Sequence, residues 1–126
     1  MSLPVAFEHT MRQLLGADYE AFRAALLGEP AVSIRINRDK WSEGVPYERV
    51  PWAAEGYYLP ERPAFTFDPL LHAGSYYVQE ASSMFVEQAV RQHLGAARVA
   101  LDLCAAPGGK STHLRNKLGK NGILVS

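Results

Sequence analysis

Apolar positions near the start of the chain recur at helical spacing. Phe7, Met11, Leu14 and Leu15 stand at i, i+4, i+7 and i+8, which predicts a helix over residues 4–15 with one apolar face. Pro4 suits its first turn and Gly16 its stop. Asp18 is placed to cap a second helix running to about Leu27, with Tyr19, Phe22 and Leu26 on one side and Gly28 at its end. The pair forms a helical hairpin. From Ala31 to Asn37 the period drops to two: Val32, Ile34 and Ile36 face one way, Ser33, Arg35 and Asn37 the other. That alternation predicts a half-buried strand. Pro46, Pro51, Pro60, Pro63 and Pro69 then break residues 38–75 into short pieces, with strands expected near Tyr47–Val50 and Gly56–Leu59. Trp52, Tyr57, Tyr58, Phe65 and Phe67 supply bulk there for a small core or a docking surface.

Helical spacing returns from Gln79 to Leu94. Phe85, Val86, Ala89, Val90 and Leu94 make a wide apolar stripe, and Gly95 ends it. Arg98 to Leu103 is a nearly continuous apolar run, the pattern of a parallel strand covered on both faces. Ser111 to Leu118 reads as a helix, Lys120-Asn121-Gly122 as a turn, and Ile123-Leu124-Val125 as a further strand. Helix, strand, glycine loop, helix, strand is how a doubly wound α/β domain opens. The fold class expected is therefore α/β: a small α+β N-terminal domain over residues 1–73, then the start of a Rossmann-like domain over 74–126. Two parallel strands need neighbours, so the chain reads as the front part of a longer, truncated α/β protein.

Composition narrows the classes. Hydrophobic residues make up 48% of the 126 positions and charged ones 21%, a globular balance. Thirteen basic and thirteen acidic residues cancel, so net charge gives no electrostatic case for nucleic acid. One cysteine, Cys104, excludes an internal disulfide framework. Without a signal-peptide pattern or an apolar run of membrane-spanning length, the cytoplasm is the expected location. His9, His72, His93 and His113 show no zinc spacing, so no metal is expected.

The candidate chemistry lies in Leu101-Asp102-Leu103-Cys104-Ala105-Ala106-Pro107-Gly108-Gly109-Lys110-Ser111. A strand running through a Gly-Gly turn into a helix presents backbone N–H groups and a positive dipole end to a ligand. A phosphate-binding P-loop matches at Gly109-Lys110-Ser111, but its first glycine would stand where Cys104 is. The dinucleotide fingerprint G-x-G-x-x-G is absent. An S-adenosylmethionine loop and a tight turn without ligand complete the alternatives.

The eleven-residue string resembles the cofactor motif of the Sun-type RNA cytosine-C5 methyltransferases. Ser33-Ile34-Arg35-Ile36-Asn37 resembles that family's N-terminal strand, and Gly74-Ser75-Tyr76-Tyr77-Val78-Gln79-Glu80-Ala81-Ser82-Ser83-Met84 the segment before its first sheet strand. Leu3-Pro4-x-Ala6-Phe7 and Pro51-Trp52-x-x-Glu55-Gly56 look most like the branch acting on small-subunit ribosomal RNA. The resemblance implies a Rossmann-like, S-adenosylmethionine-dependent methyltransferase domain and methyl transfer to carbon 5 of a cytosine in RNA. A cysteine thiolate adds to carbon 6, methyl transfer follows, and a base then removes the carbon-5 proton. The family carries two cysteines for this work, one after a proline and one after a threonine. Neither motif occurs here, so no catalytic residue is assigned and this 126-residue piece is expected to be inert alone.

For cofactor binding the resemblance implies Cys104, Ala105, Ala106, Pro107, Gly108, Gly109 and Lys110. Gly108 and Gly109 are expected to permit positive φ and close approach. Asp102 is expected to brace the loop by accepting N–H bonds. Lys110 meets the cofactor carboxylate or lies along its helix, and Cys104 is expected to be a small buried residue. Gln79 approaches the methionine end of the cofactor or caps the following helix. Arg35, Arg38 and Lys40 are read as solvated surface charge before RNA phosphate contacts, and Tyr76 and Tyr77 as strand packing before base stacking. The reading from another class is a non-enzymatic RNA- or ribosome-binding module with a vestigial cofactor loop.

Overall fold

The computed structural model describes residues 3–126, in two compact units, residues 3–30 and residues 31–126. The expected division between residues 73 and 74 lies within the second unit.

In the first unit, α1 (Val5–Leu15) and α2 (Tyr19–Leu27) are joined by a short 3-10 helix, Gly16–Asp18. The hairpin expected from spacing is present. Asp18 does not cap α2: it sits in helical φ/ψ and its side chain makes no cap bond, because the chain turns through the 3-10 helix instead. Tyr19 is the buried residue. The Arg12 guanidinium lies 4.0 Å over its ring and also pairs with Glu20 at 2.8 Å. Phe7 and Phe22 pack at 6.3 Å, whereas Leu14 and Leu26, expected on the inner faces, are exposed.

The second unit is built on an antiparallel sheet ordered β2-β1-β3, with β1 Val32–Ile36, β2 Gly56–Leu59 and β3 Tyr76–Val78. Ile34 stands opposite Tyr57 on one side and Val78 on the other. Ile34, Ile36, Tyr57, Phe65 and Tyr76 form the main core, and the short helix α3 (Pro69–His72) precedes β3. The strand expected near Tyr47–Val50 is reduced to a single bridge between Arg49 and Tyr57. A second cluster joins Val50, Ala53, Ala81 and Met84, with the Trp52 indole N–H donating to the Ala81 carbonyl at 2.7 Å.

Burial of β1 corrects the half-buried expectation. Ser33 and Arg35 are as buried as Ile34. Their face is covered by the segment after β3 and by α5 (Gly109–Lys117), and each pays for burial with hydrogen bonds.

The helix expected from residue 79 begins later, as a 3-10 helix over Ser82–Phe85 and then α4 (Val86–His93). Its expected stripe is only partly inward: Phe85 and Ala89 are exposed, while Met84 and Glu87 are buried. The remaining strands, β4 (Val99–Leu101) and β5 (Ile123–Val125), pair in parallel through α5, Val99 opposite Ile123 and Leu101 opposite Val125. This is the strand–helix–strand order read from the sequence. The double cover expected for β4 is not found: Val99, Leu101, Ile123 and Val125 lie on one face and are all exposed.

Candidate cofactor loop and cleft

Residues 102–108 connect β4 to α5, and Asp102 closes the connection on itself. Its Oδ1 accepts the Cys104 N–H at 2.9 Å and its Oδ2 the Ser111 hydroxyl at 2.7 Å. The Ser111 bond, then the Cys104 N–H, hold the carboxyl below its ordinary range, with the Lys110 charge adding to both. Asp102 thus braces the loop, as expected.

Gly108 sits at φ +105°, a conformation open to glycine. Gly109 does not have positive φ; its reason is space, since a Cβ there would stand 3.2 Å from the Tyr77 ring. The Tyr77 hydroxyl donates to the Pro107 carbonyl at 3.3 Å, and Thr112 Oγ1 to the Gly108 carbonyl at 2.8 Å.

Between this loop and the segment after β3 lies a cleft of about 210 Å³. Cys104, Ala105, Ala106, Pro107, Gly109 and Lys110 line one side; Gly108 is not among the lining residues. Cys104 is exposed, correcting the expectation of a buried residue: its N–H is turned in to Asp102 and its side chain points away from any core. Tyr77, Gln79, Glu80 and Ser83 line the opposite side. α5 directs its first N–H groups, which have no intrahelical acceptor, toward this loop.

Arg35 is not the solvated surface charge expected. It is buried, donating from Nε to Gln79 Oε1 at 2.9 Å and from one terminal nitrogen to Thr112 Oγ1 at 2.7 Å and the Gly109 carbonyl at 3.3 Å. Burial pushes its pKa down to about 10, against the pull of Glu87 and Tyr77, so it stays charged at neutral pH. Gln79 is buried too and does not cap the following helix, which starts three residues later. Arg38 pairs with Glu55 at 2.6 Å and Lys40 donates to the Ala73 carbonyl at 2.7 Å. Tyr76 is buried and donates to Asp68 at 2.6 Å, which leaves its ring no face for a base.

A second polar cluster went unread in the sequence. Glu87 on α4 accepts from His113 Nε2 at 2.9 Å and from Lys117 Nζ at 2.7 Å, both on α5. The Ala54 N–H adds a longer bond of 3.3 Å. Burial raises the Glu87 pKa, but the bonds from Lys117 and His113 outweigh it and hold the group below its ordinary value. Burial lowers that of His113, and Arg35 and Lys117 add to the effect against Glu87. The cluster bolts α5, and so the loop, to α4.

Residues 3–81 match the family profile described as the N-terminal domain of 16S rRNA methyltransferase RsmF. The chain belongs to this family. It is 36% identical, over 99% of its own length, to the ribosomal RNA small subunit methyltransferase F of Pectobacterium atrosepticum. The protein of that name from Shewanella oneidensis is 31% identical over 95% of the chain. The chain spans 29% and 28% of those two relatives. Among solved structures, a methyltransferase homolog from Pyrococcus horikoshii superposes with a TM-score of 0.75 at 29% identity, covering 98% of this chain and 43% of that one. Membership of the RsmF family agrees with the resemblance read from the sequence. Among the described residues no helix is long and apolar enough to cross a membrane, and no group of three or more acidic, His or Cys side chains is placed to hold a metal.

Proposed function

We propose that these residues carry the amino-terminal and cofactor-holding part of a cytoplasmic enzyme that transfers a methyl group from S-adenosylmethionine to carbon 5 of a cytosine in small-subunit ribosomal RNA. In this reading residues 1–73 contribute to RNA contact, and residues 74–126 begin the methyltransferase part and hold the cofactor through Cys104, Ala105, Ala106, Pro107, Gly108, Gly109 and Lys110.

The observation that carries the reading is the cleft itself. Its walls offer what such a cofactor needs: the N-terminal N–H groups of α5 at Gly109 and Lys110, with the polar side chains of Gln79, Glu80 and Ser83 facing them. The residues present therefore fit the group. When bound, S-adenosylmethionine supplies an electrophilic methyl group. The chain's own part is to orient it. Asp102 and Ser111 hold the loop, Gly108 turns it, and Arg35 ties its helix to β1.

The test is thermal unfolding of the 126-residue chain with added ligand. S-adenosylmethionine is expected to raise the midpoint, by an amount equivalent to about 2.7 kcal/mol when present at a hundred times its dissociation constant. ATP with magnesium is expected to leave it unchanged. Protection by ATP and magnesium alone would replace this reading with a degenerate P-loop.

The single thiol lies in the cleft wall, and the family's two cysteine motifs are not in these residues. Purified alone, the chain is expected to transfer no labelled methyl from S-adenosylmethionine to 16S ribosomal RNA, and incorporation above background would refute this.

A further inference from the structure

Between β3 and α5 lies a second cavity, of about 230 Å³, beside the cofactor cleft. Tyr77 lines both, so its half-buried ring is a wall they share. Gly109 backs that ring, since a Cβ there would stand 3.2 Å from Tyr77 Cε1. Arg115 and Asn116, both exposed on α5, also line the cavity. Arg115 gives one of its five N–H groups to the Gly119 carbonyl at 2.6 Å. Arg35 adds a second positive charge, its own bonds being committed to Gln79, Thr112 and Gly109. None of the described residues lining the cavity is acidic, in a chain whose thirteen acidic residues equal its basic ones. The neighbouring hollow past Asn116 differs: Asp39 and Glu55 stand in its walls with Arg38 and Lys117. An anion is therefore drawn to the Tyr77 side.

Three kinds of group meet here: an aromatic ring, an amide that both donates and accepts, and a guanidinium whose internal bond is to a carbonyl. They match the three parts of an unpaired nucleotide. A ring stacks on a base, an amide bonds its edge, and a guanidinium pairs with its phosphate. The volume falls below the roughly 300 Å³ at which sites for whole small molecules begin, which suits one unit of a polymer. We propose that this cavity is a subsite for one unpaired nucleotide of the RNA, its base on Tyr77, its edge on the Asn116 amide and its phosphate on Arg115. The Tyr77 ring then stands between the RNA and the cofactor cleft. This rests on the reading of the chain as part of an RNA methyltransferase.

Fluorescence anisotropy of a labelled single-stranded RNA of mixed sequence, and of an abasic strand with the same phosphates, separates the contributions. The wild-type chain is expected to bind the RNA about tenfold more tightly than the abasic strand, the gain from one stacked base. Its Tyr77 ring resonances are expected to move upfield with the RNA and to stay in place with the abasic strand. Arg115→Gln is expected to weaken both strands alike and to reduce the salt slope by about one. Asn116→Ala is expected to weaken the RNA about fivefold and the abasic strand not at all. Both positions are exposed, so the unfolding midpoints of the two variants are expected to match the wild type. Equal affinity of the wild type and both variants for the RNA, or an unmoved Tyr77 ring, overturns the proposal. A wild-type chain that S-adenosylmethionine protects but that binds no RNA also overturns it, and leaves the cofactor reading standing. RNA affinity that falls in both variants of a chain S-adenosylmethionine does not protect supports the subsite and overturns the cofactor reading.

Discussion

Glu87→Ala lowers the stability of the second unit by about 3 kcal/mol or more, the effect of removing one partner from a buried charge cluster. The carboxylate is 1% exposed and serves two donors from α5. Its loss leaves His113 without its acceptor and Lys117 without its counter-ion. Glu87→Gln, which preserves volume and one acceptor oxygen, is expected to lose less. Chemical denaturation followed by tryptophan fluorescence gives both values, and losses below about 1 kcal/mol for the alanine variant would show the cluster to be surface-like.

The same cluster sets a pH dependence. With Glu87 ionised, His113 Nε2 carries the donated proton, and Nδ1 is buried without a partner. Burial penalises the charged ring, with the Arg35 and Lys117 charges adding to it against Glu87, so the folded pKa lies below the ordinary 6.5. Between that depressed value and 6.5 the unfolded chain binds a proton that the folded chain refuses. Stability is therefore full above 6.5 and falls as the solution is acidified through this window. Glu87 acts in the same direction lower down: its contribution is present above 4.5 and disappears as pH drops through its own lowered value. His113→Gln is expected to flatten the first of these two slopes.

Arg35→Met is the second large effect. The guanidinium satisfies Gln79, Thr112 and the Gly109 carbonyl together, and hydrogen bonds to a charged group contribute about 1.5–3 kcal/mol each. Relief of the buried charge offsets part of that, which leaves an expected net loss of about 2–3 kcal/mol. The distinguishing result is local. Amide exchange in residues 104–112 is expected to accelerate more than exchange in β2, because the tie from β1 to the start of α5 is gone. Uniform acceleration across the unit would mean that Arg35 stabilises the sheet and not the loop.

Arg35 also marks the limit of what a single sequence discloses. Alternation over Ala31–Asn37 located β1 correctly, since period two is a local property of a pleated strand. The same alternation assigned Ser33 and Arg35 to water. What covers them stands 44 to 77 residues further on, at Gln79, Gly109 and Thr112, and no local pattern reports it. Glu87 repeats the case on a helix. Helical spacing locates α4, but its apolar stripe includes Phe85 and omits Glu87, and the structure exposes the first and buries the second. The cofactor loop was legible for a different reason. Asp102, Gly108, Gly109 and Ser111 bond or turn within ten residues of one another, so their roles are written in adjacent letters. Even there Gly109 was credited with a backbone torsion when its constraint is a ring contributed by β3.

The chain's one thiol, exposed on the wall of the cleft, makes the molecule its own probe. A maleimide dye or nitroxide attaches at a single atom without any engineered substitution. Its spectrum reads solvent polarity and tumbling beside Ala105 and Lys110 and nowhere else. Conversely, a preparation left to oxidise carries its modification at that wall and not at a neutral spot on the surface.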